Sequence, residues 1–194
     1  MTNKKIYVNL GCGVNIMKDE KNIHWINVDK FFKDKSGAKN FLEGDVIDIP
    51  LEKETADYII CDQVMEHLRM DDVPVALNEI RRILKKGGKA VLIIPDFRSA
   101  ALDWMSFDWE AGFNAIPYQF LSEVLFGNQN HEGEYHKTPF CAGYLHYVLN
   151  MVGLRNHELQ FHPKGALPPK HPGVYFLEGK TALRNSQLVA IITK

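Results

Sequence analysis

Val8-Asn9-Leu10-Gly11-Cys12-Gly13 and, eighteen residues after Gly11, Asp29 at the end of Trp25-Ile26-Asn27-Val28-Asp29 decide how this chain reads. Lys5–Leu10 (KIYVNL) is a short β-rich run that ends directly on glycine. Glycine at a strand end lets a ligand come close to the backbone. An acid ending the neighbouring strand can accept hydrogen bonds from ribose hydroxyls. Together they could hold an adenosine-containing cofactor. A bare Gly-x-Gly turn is also common as plain structure, so the surrounding pattern has to decide.

Working outward, short apolar runs recur at residues 24–29 (HWINVD), 40–45 (NFLEGD), 57–61 (DYIIC) and 89–95 (KAVLIIP). Runs of this kind are typical of parallel strands buried on both faces. Between the last two, Val73, Leu77, Ile80 and Leu84 fall on one helical stripe, with Ala76 and Ile83 beside it. Asp71 and Asp72 suit the start of that helix, Pro74 its first turn, and Arg81, Arg82, Lys85 and Lys86 its end. Gly87-Gly88 is expected to stop it. Further on, residues 115–126 read as helix, with Gly127 closing it. Thr138-Pro139 reads as N-cap and first position of another helix running to about Val152. Residues 157–162 and 187–193 (QLVAIIT) read as strands flanking a Pro/Gly-rich loop. The pattern predicts an α/β, doubly wound, mostly parallel seven-stranded sheet with an antiparallel edge strand and a helical insertion after the fifth strand.

At 194 residues, 45% hydrophobic and 24% charged, the composition is that of one ordinary globular domain spanning 1–194. It excludes a disordered tail, a fibrous repeat and a disulfide scaffold. No apolar run approaches the ~20 residues of a membrane span, and no signal peptide is read at the start, so a cytoplasmic protein is expected. Cys12, Cys61 and Cys141 are odd in number and far apart, as in a reducing compartment. A formal net charge of −1 does not point to nucleic acid. The charge is uneven, however. Residues 99–136 hold six acids and no Lys or Arg, while residues 137–194 hold seven bases and two acids. The acidic stretch is rich in aromatics, among them Trp104, Trp109 and Phe126. The 99–153 region is therefore expected to be a helical lid or pocket wall, and its aromatics could equally cover a homodimer partner.

More residues narrow the fold. After Gly44-Asp45 come Asp57-Tyr58-Ile59-Ile60, Met65-Glu66-His67-Leu68, the segment from Glu79 through Leu84 to Gly87-Gly88, and Ile94-Pro95-Asp96-Phe97. In this order and spacing the set resembles the class I S-adenosylmethionine-dependent methyltransferases, in particular small bacterial and phage-type members that open on NLGCG. The resemblance is strong from Tyr7 to Arg98 and weaker through His136-Lys137-Thr138-Pro139-Phe140 and Gly153-Leu154.

The resemblance implies S-adenosylmethionine as cofactor and S-adenosylhomocysteine as product. Gly11, Cys12 and Gly13 would lie under the methionine and ribose portions, and Asp29 would hold the ribose hydroxyls. Asp45 would face the adenine amino group, with Val46 lining the ring. Asp62 and Gln63 would lie by the methionine moiety, and Glu66 and His67 fit the start of the following helix. Asn9 stands where many relatives carry an acid. Only residues 14–23 separate Gly13 from the second strand, so the first helix is expected to be one or two turns, or a loop.

Methyl transfer needs an aligned acceptor and, for oxygen, removal of a proton. Asp96 and His136 are the first candidates for catalysis, with Asp62 and His131 as further bases. Arg98, His131 and Trp104 are candidates for substrate binding. Nucleic acid is disfavoured as acceptor, because Cys61-Asp62-Gln63-Val64 lacks the Asn/Asp-Pro-Pro-aromatic tetrad of base methyltransferases. The resemblance points instead to a small molecule such as a sugar or surface-polysaccharide precursor. Six of the eight histidines fall between His131 and His171, but no spacing fits a zinc pattern, so no metal is expected. The competing readings are a non-catalytic cofactor- or partner-binding relative and a nicotinamide enzyme. The latter is opposed by Val14-Asn15-Ile16, which supply no third glycine.

Overall fold

The computed structural model describes residues 4–32, 39–106, 123, 125–161 and 187–194. Seven strands form one sheet: β1 (Lys5–Leu10), β2 (Ile23–Asp29), β3 (Phe41–Glu43), β4 (Ala56–Asp62), β5 (Leu84–Pro95), β6 (His157–Phe161) and β7 (Gln187–Thr193). Their order is β3-β2-β1-β4-β5-β7-β6. β1 to β5 run parallel, while β7 is antiparallel to both β5 and β6. The antiparallel strand expected at this side of the sheet is β7. The chain order reverses between β1 and β4, and in open α/β sheets ligands bind outside the strand ends at such a point.

The central strands are apolar on both faces. In β5, Ala90, Leu92 and Ile94 join one core and Val91 and Ile93 the other. In β4, Ile59 and Cys61 alternate in the same way with Tyr58 and Ile60. Helix α1 (Val73–Ile83) and helix α3 (Ala142–Met151) cover the first core through Ala76, Leu77, Ile80, Leu145, Val148 and Leu149. Helix α2 (Phe97–Ser106) leaves the end of β5. The second core gathers Met17, Trp25, Tyr7 and Tyr58, and the Tyr7 and Trp25 rings meet edge-on at 5.2 Å.

No helix forms among the described residues between β1 and β2. A buried amide network holds that segment instead. Asn27 accepts from Asn9 Nδ2 (3.1 Å) and from the Met17 N–H (2.8 Å), and its Nδ2 donates to the Met17 carbonyl (3.0 Å). Asn9 Nδ2 also reaches the Asn15 carbonyl at 2.9 Å. Asn27 is fully buried. Asn27→Ala is expected to cost about 1–3 kcal/mol, because it orphans the Met17 N–H, while Asn40 Nδ2 still donates to the Met17 carbonyl. Urea unfolding measures this, and a loss below about 1 kcal/mol would mean water replaces the amide.

Two helix boundaries differ from the sequence expectation. α1 ends at Ile83, before Gly87-Gly88, because Leu84 turns extended, is fully buried and pairs with Ala56. The ladder then shifts register before Tyr58 meets Lys89, and Gly87, at φ +75°, donates to the Lys194 carbonyl. Thr138 does not cap α3, whose N-cap is Cys141. Its hydroxyl instead donates to the Leu68 carbonyl at 2.7 Å, and the residue is buried. Of the helix expected at 115–126, residues 115–122 and 124 lie outside the described residues; Glu123, Leu125 and Phe126 are helical. No described helix is long and apolar enough to cross a membrane.

Candidate active site at the switch point

The strand ends beside the reversal carry most of the residues singled out above. β1 runs into Gly11, whose N–H donates to the Val28 carbonyl of β2 at 2.8 Å. Gly11 has φ +64°, and a Cβ there would collide with Val64 Cγ2. Gly13 has φ +48°, and a Cβ there would meet nothing within 4 Å. The backbone at Gly13 thus borders open space. Its N–H donates to Asp29 Oδ2 at 2.8 Å, while Asp29 Oδ1 accepts from the Phe31 and Phe32 N–H groups at 2.8 and 2.7 Å. The half-exposed Asp29 carboxylate therefore ties the glycine loop to the turn after β2. A carboxylate has about four acceptor positions, so this arrangement leaves capacity for a ligand hydroxyl.

Cys12 is buried beneath the loop. Asn9 faces inward into the amide network and supports the loop from behind. Past β3, Asp45 is held by Lys30 at 2.7 Å, and Val46 is 7% exposed and packed into the core. Past β4, Gln63 is exposed at φ +54°, with its N–H on the Ile93 carbonyl. Burial pushes the Asp62 carboxyl up to about 7.

Asp96 is buried at the start of α2. Its Oδ2 accepts from Ser99 Oγ at 2.6 Å, and its Oδ1 has no partner among the described residues. Arg98 is exposed. The Trp104 backbone belongs to α2, and its side chain lies outside the described residues. His131 caps a short turn, accepting from the Gly133 N–H, with its ring 6.0 Å from that of Phe31. It therefore sits against the turn after β2.

Sequence spacing missed one grouping. Glu66, His67 and His136 bring one ligating atom each within 4.8 Å of one another. The rings of His67 and His136 meet edge-on at 4.9 Å. The chain carrying His136 is sewn to the turn Met65–His67: the Glu66 carbonyl accepts from the N–H groups of Lys137 (2.8 Å) and Thr138 (3.1 Å). Glu66 is 2% exposed, and burial pushes its carboxyl up to about 8. Burial also pushes the His67 imidazole down.

Residues 9–92 match the family model described as a methyltransferase domain. An uncharacterized protein of Methanocaldococcus jannaschii is 34% identical over 101 residues, covering 47% of this chain and 42% of that one. The chain spans less than half the length of the curated relatives it matches. Among solved structures, an S-adenosylmethionine-dependent methyltransferase from Archaeoglobus fulgidus superposes with a TM-score of 0.59 at 15% identity, over 100% of this chain and 87% of that one. The Burkholderia thailandensis 1,6-didemethyltoxoflavin-N1-methyltransferase, solved with its substrate and S-adenosylhomocysteine, superposes at 0.59 and 14% identity, over 99% and 72%. The fold is that of the class I S-adenosylmethionine-dependent methyltransferases.

Within this methyltransferase fold the site suits an adenosyl cofactor on its own geometry. There is room beside the Gly13 backbone, and Asp29 is fixed at the end of the neighbouring strand with acceptor capacity to spare. Asp45 would meet an adenine amino group only beside its Lys30 partner.

The two raised carboxyls set a pH trend for the chain. Asp62 and Glu66 bind a proton more tightly folded than unfolded. Their contribution to stability is full below the unfolded carboxylate range near about 4 and is lost as pH rises through about 7 and about 8. The melting temperature of the unliganded chain is expected to fall between about pH 5 and about pH 8, and Asp62→Asn to flatten part of that slope. A melting temperature that climbs over this range in both proteins would contradict the trend.

Proposed function

We propose that this chain transfers a methyl group from S-adenosylmethionine to a small-molecule acceptor, with a sugar or surface-polysaccharide precursor as the first class to test. The observation that carries the reading is the Gly11–Gly13 loop tied through Asp29 at the β1/β4 reversal, in a fold whose solved neighbours include S-adenosylmethionine-dependent enzymes. The Burkholderia neighbour, which takes a small-molecule substrate, supports an acceptor of that size.

When bound, the cofactor supplies an electrophilic methyl group on a sulfonium. Gly11, Cys12 and Gly13 would offer backbone to its methionine and ribose portions. Asp29 would accept from the ribose hydroxyls, Asp45 and Val46 would border the adenine, and Asp62 and Gln63 would flank the methionine end. Asn9 would act through the loop it supports. The remaining task is to align an acceptor and remove its proton. Asp96 and His136 are the groups proposed for this, with Asp96 holding a buried, unpartnered oxygen at the end of β5. Arg98, His131 and Trp104 are proposed to meet the acceptor, within a 99–153 region that would form the lid.

Calorimetric titration of the purified chain with S-adenosylhomocysteine, S-adenosylmethionine and NAD tests the reading. Binding of the first two in the range of about 1–100 μM, with none for NAD, is the expected result. Release of S-adenosylhomocysteine in an acceptor screen would then separate an enzyme from a cofactor-binding relative. NAD binding, or no binding of any of the three, would overturn it.

A further inference from the structure

We propose that Glu66, His67 and His136 form a binding site for a first-row transition-metal dication of the Zn2+ class. Three independent features carry this.

The first is an unpartnered buried carboxylate. Glu66 is 2% exposed, and neither of its side-chain oxygens has a hydrogen-bond partner among the described residues. Such oxygens are costly to leave unsatisfied, and a cation is one of the few groups that satisfies them.

The second is the orientation of His67. Its Nδ1 lies 3.1 Å from the Tyr135 carbonyl, which can only accept, so Nδ1 carries the proton. Nε2 is thereby left with its lone pair, and it lies 3.9 Å from Glu66 Oε1. With Glu66 ionised, as a metal would require, two acceptors face each other. This is the pattern of a metal-binding histidine, whose far nitrogen is fixed by a backbone carbonyl.

The third is the support of His136. The Glu66 carbonyl accepts from the N–H groups of Lys137 and Thr138, and Thr138 Oγ1 bonds the Leu68 carbonyl. The backbone carrying one ligand is bonded to the backbone carrying the other two. Gly127 lets the segment leading to His136 pack closely: at φ +80°, a Cβ there would collide with the Glu134 carbonyl.

The three ligating atoms already lie within 4.8 Å of one another. Ligands of a tetrahedral Zn2+ at about 2.1 Å lie about 3.4 Å apart, so small side-chain rotations would close the site. Two imidazoles and one carboxylate favour Zn2+, Co2+ or Fe2+ over the all-oxygen preference of Mg2+ and Ca2+. Three protein ligands leave a position open, as in catalytic rather than structural sites. On the methyltransferase reading, which this last step rests on, the open position would take an acceptor hydroxyl oxygen and lower its pKa, so that its proton passes to solvent water before the oxygen takes the methyl group.

The test uses the full chain, freed of metal with a chelator and titrated with Co2+ while its visible absorption is recorded. One equivalent is expected to bind with a Kd of about 10 μM or tighter, to be displaced by Zn2+ and to resist millimolar Mg2+. Glu66→Gln, which keeps the volume, and His136→Ala are each expected to weaken Co2+ binding by about 10–100-fold or more. Absence of saturable Co2+ and Zn2+ binding, or equal binding by the chain and both variants, would overturn the site. S-adenosylhomocysteine titration of the same samples keeps the two readings apart. Metal binding without cofactor binding would support the site while removing the methyltransferase reading.

Discussion

Asp29→Ala is expected to weaken S-adenosylhomocysteine binding by at least about 100-fold, since charge-assisted hydrogen bonds contribute about 1.5–3 kcal/mol each. Two losses combine. The ribose would lose its acceptor, and the glycine loop would lose its tether, because Asp29 accepts from Gly13 on one oxygen and from Phe31 and Phe32 on the other. Asp29→Asn separates them. Its single oxygen can keep Phe31 and Phe32, but its amide would then point N–H groups at the Gly13 N–H. Asparagine is therefore expected to restore little of the affinity, although it matches aspartate in shape. Calorimetry on both variants, with circular dichroism to verify folding, measures the effect. Full affinity in Asp29→Asn would show that the tether is dispensable.

Gly11→Ala and Gly13→Ala are expected to fail in different ways. At Gly11 a methyl group meets both a left-handed backbone and the Val64 side chain, and the loss of stability is expected to be about 3 kcal/mol or more. At Gly13 only the backbone conformation resists, at about 1–2 kcal/mol, since the space beside it is open. That open space is where the cofactor is proposed to sit. Gly13→Ala should therefore fold nearly normally and still bind S-adenosylhomocysteine about 10-fold or more weakly. Urea unfolding paired with calorimetry reads both quantities. Val64→Ala combined with Gly11→Ala should recover the steric part of the loss and leave the backbone part. No recovery would place the whole cost in the backbone.

The fold was largely legible because its signals are local. Apolar runs of strand length, separated by turn residues, located all seven strands, although the fifth begins at Leu84 rather than Lys89. The parallel character of the first five followed from their two-sided apolar content. The short link after Gly13 read as poor in helix, and among the described residues none forms there. The errors fell where a distant contact outweighed a local preference. Leu84 fits the helical stripe, but Ala56 offers it a ladder position and full burial. Thr138-Pro139 has the chemistry of a helix start, but the Leu68 carbonyl takes the hydroxyl.

The same division runs through the site. Sequence by itself determined the parts that are contiguous: Gly11, Cys12 and Gly13 at a strand end, an acid at the end of the next strand, and the order of strands and helices around them. Spacing along the chain encodes such parts, because a strand end fixes both backbone direction and exposure. Only the tertiary structure decided what meets across the chain. It tied Asn9 to Asn27 and to the Asn15 carbonyl, and it gave Asp45 a lysine partner. It also placed His136 against Glu66 and His67, sixty-nine positions away from the latter. No periodicity or motif spacing carries that last juxtaposition. It depends on backbone hydrogen bonds from residues 137 and 138 to the Glu66 carbonyl, which exist only once the sheet has brought both segments to the same edge.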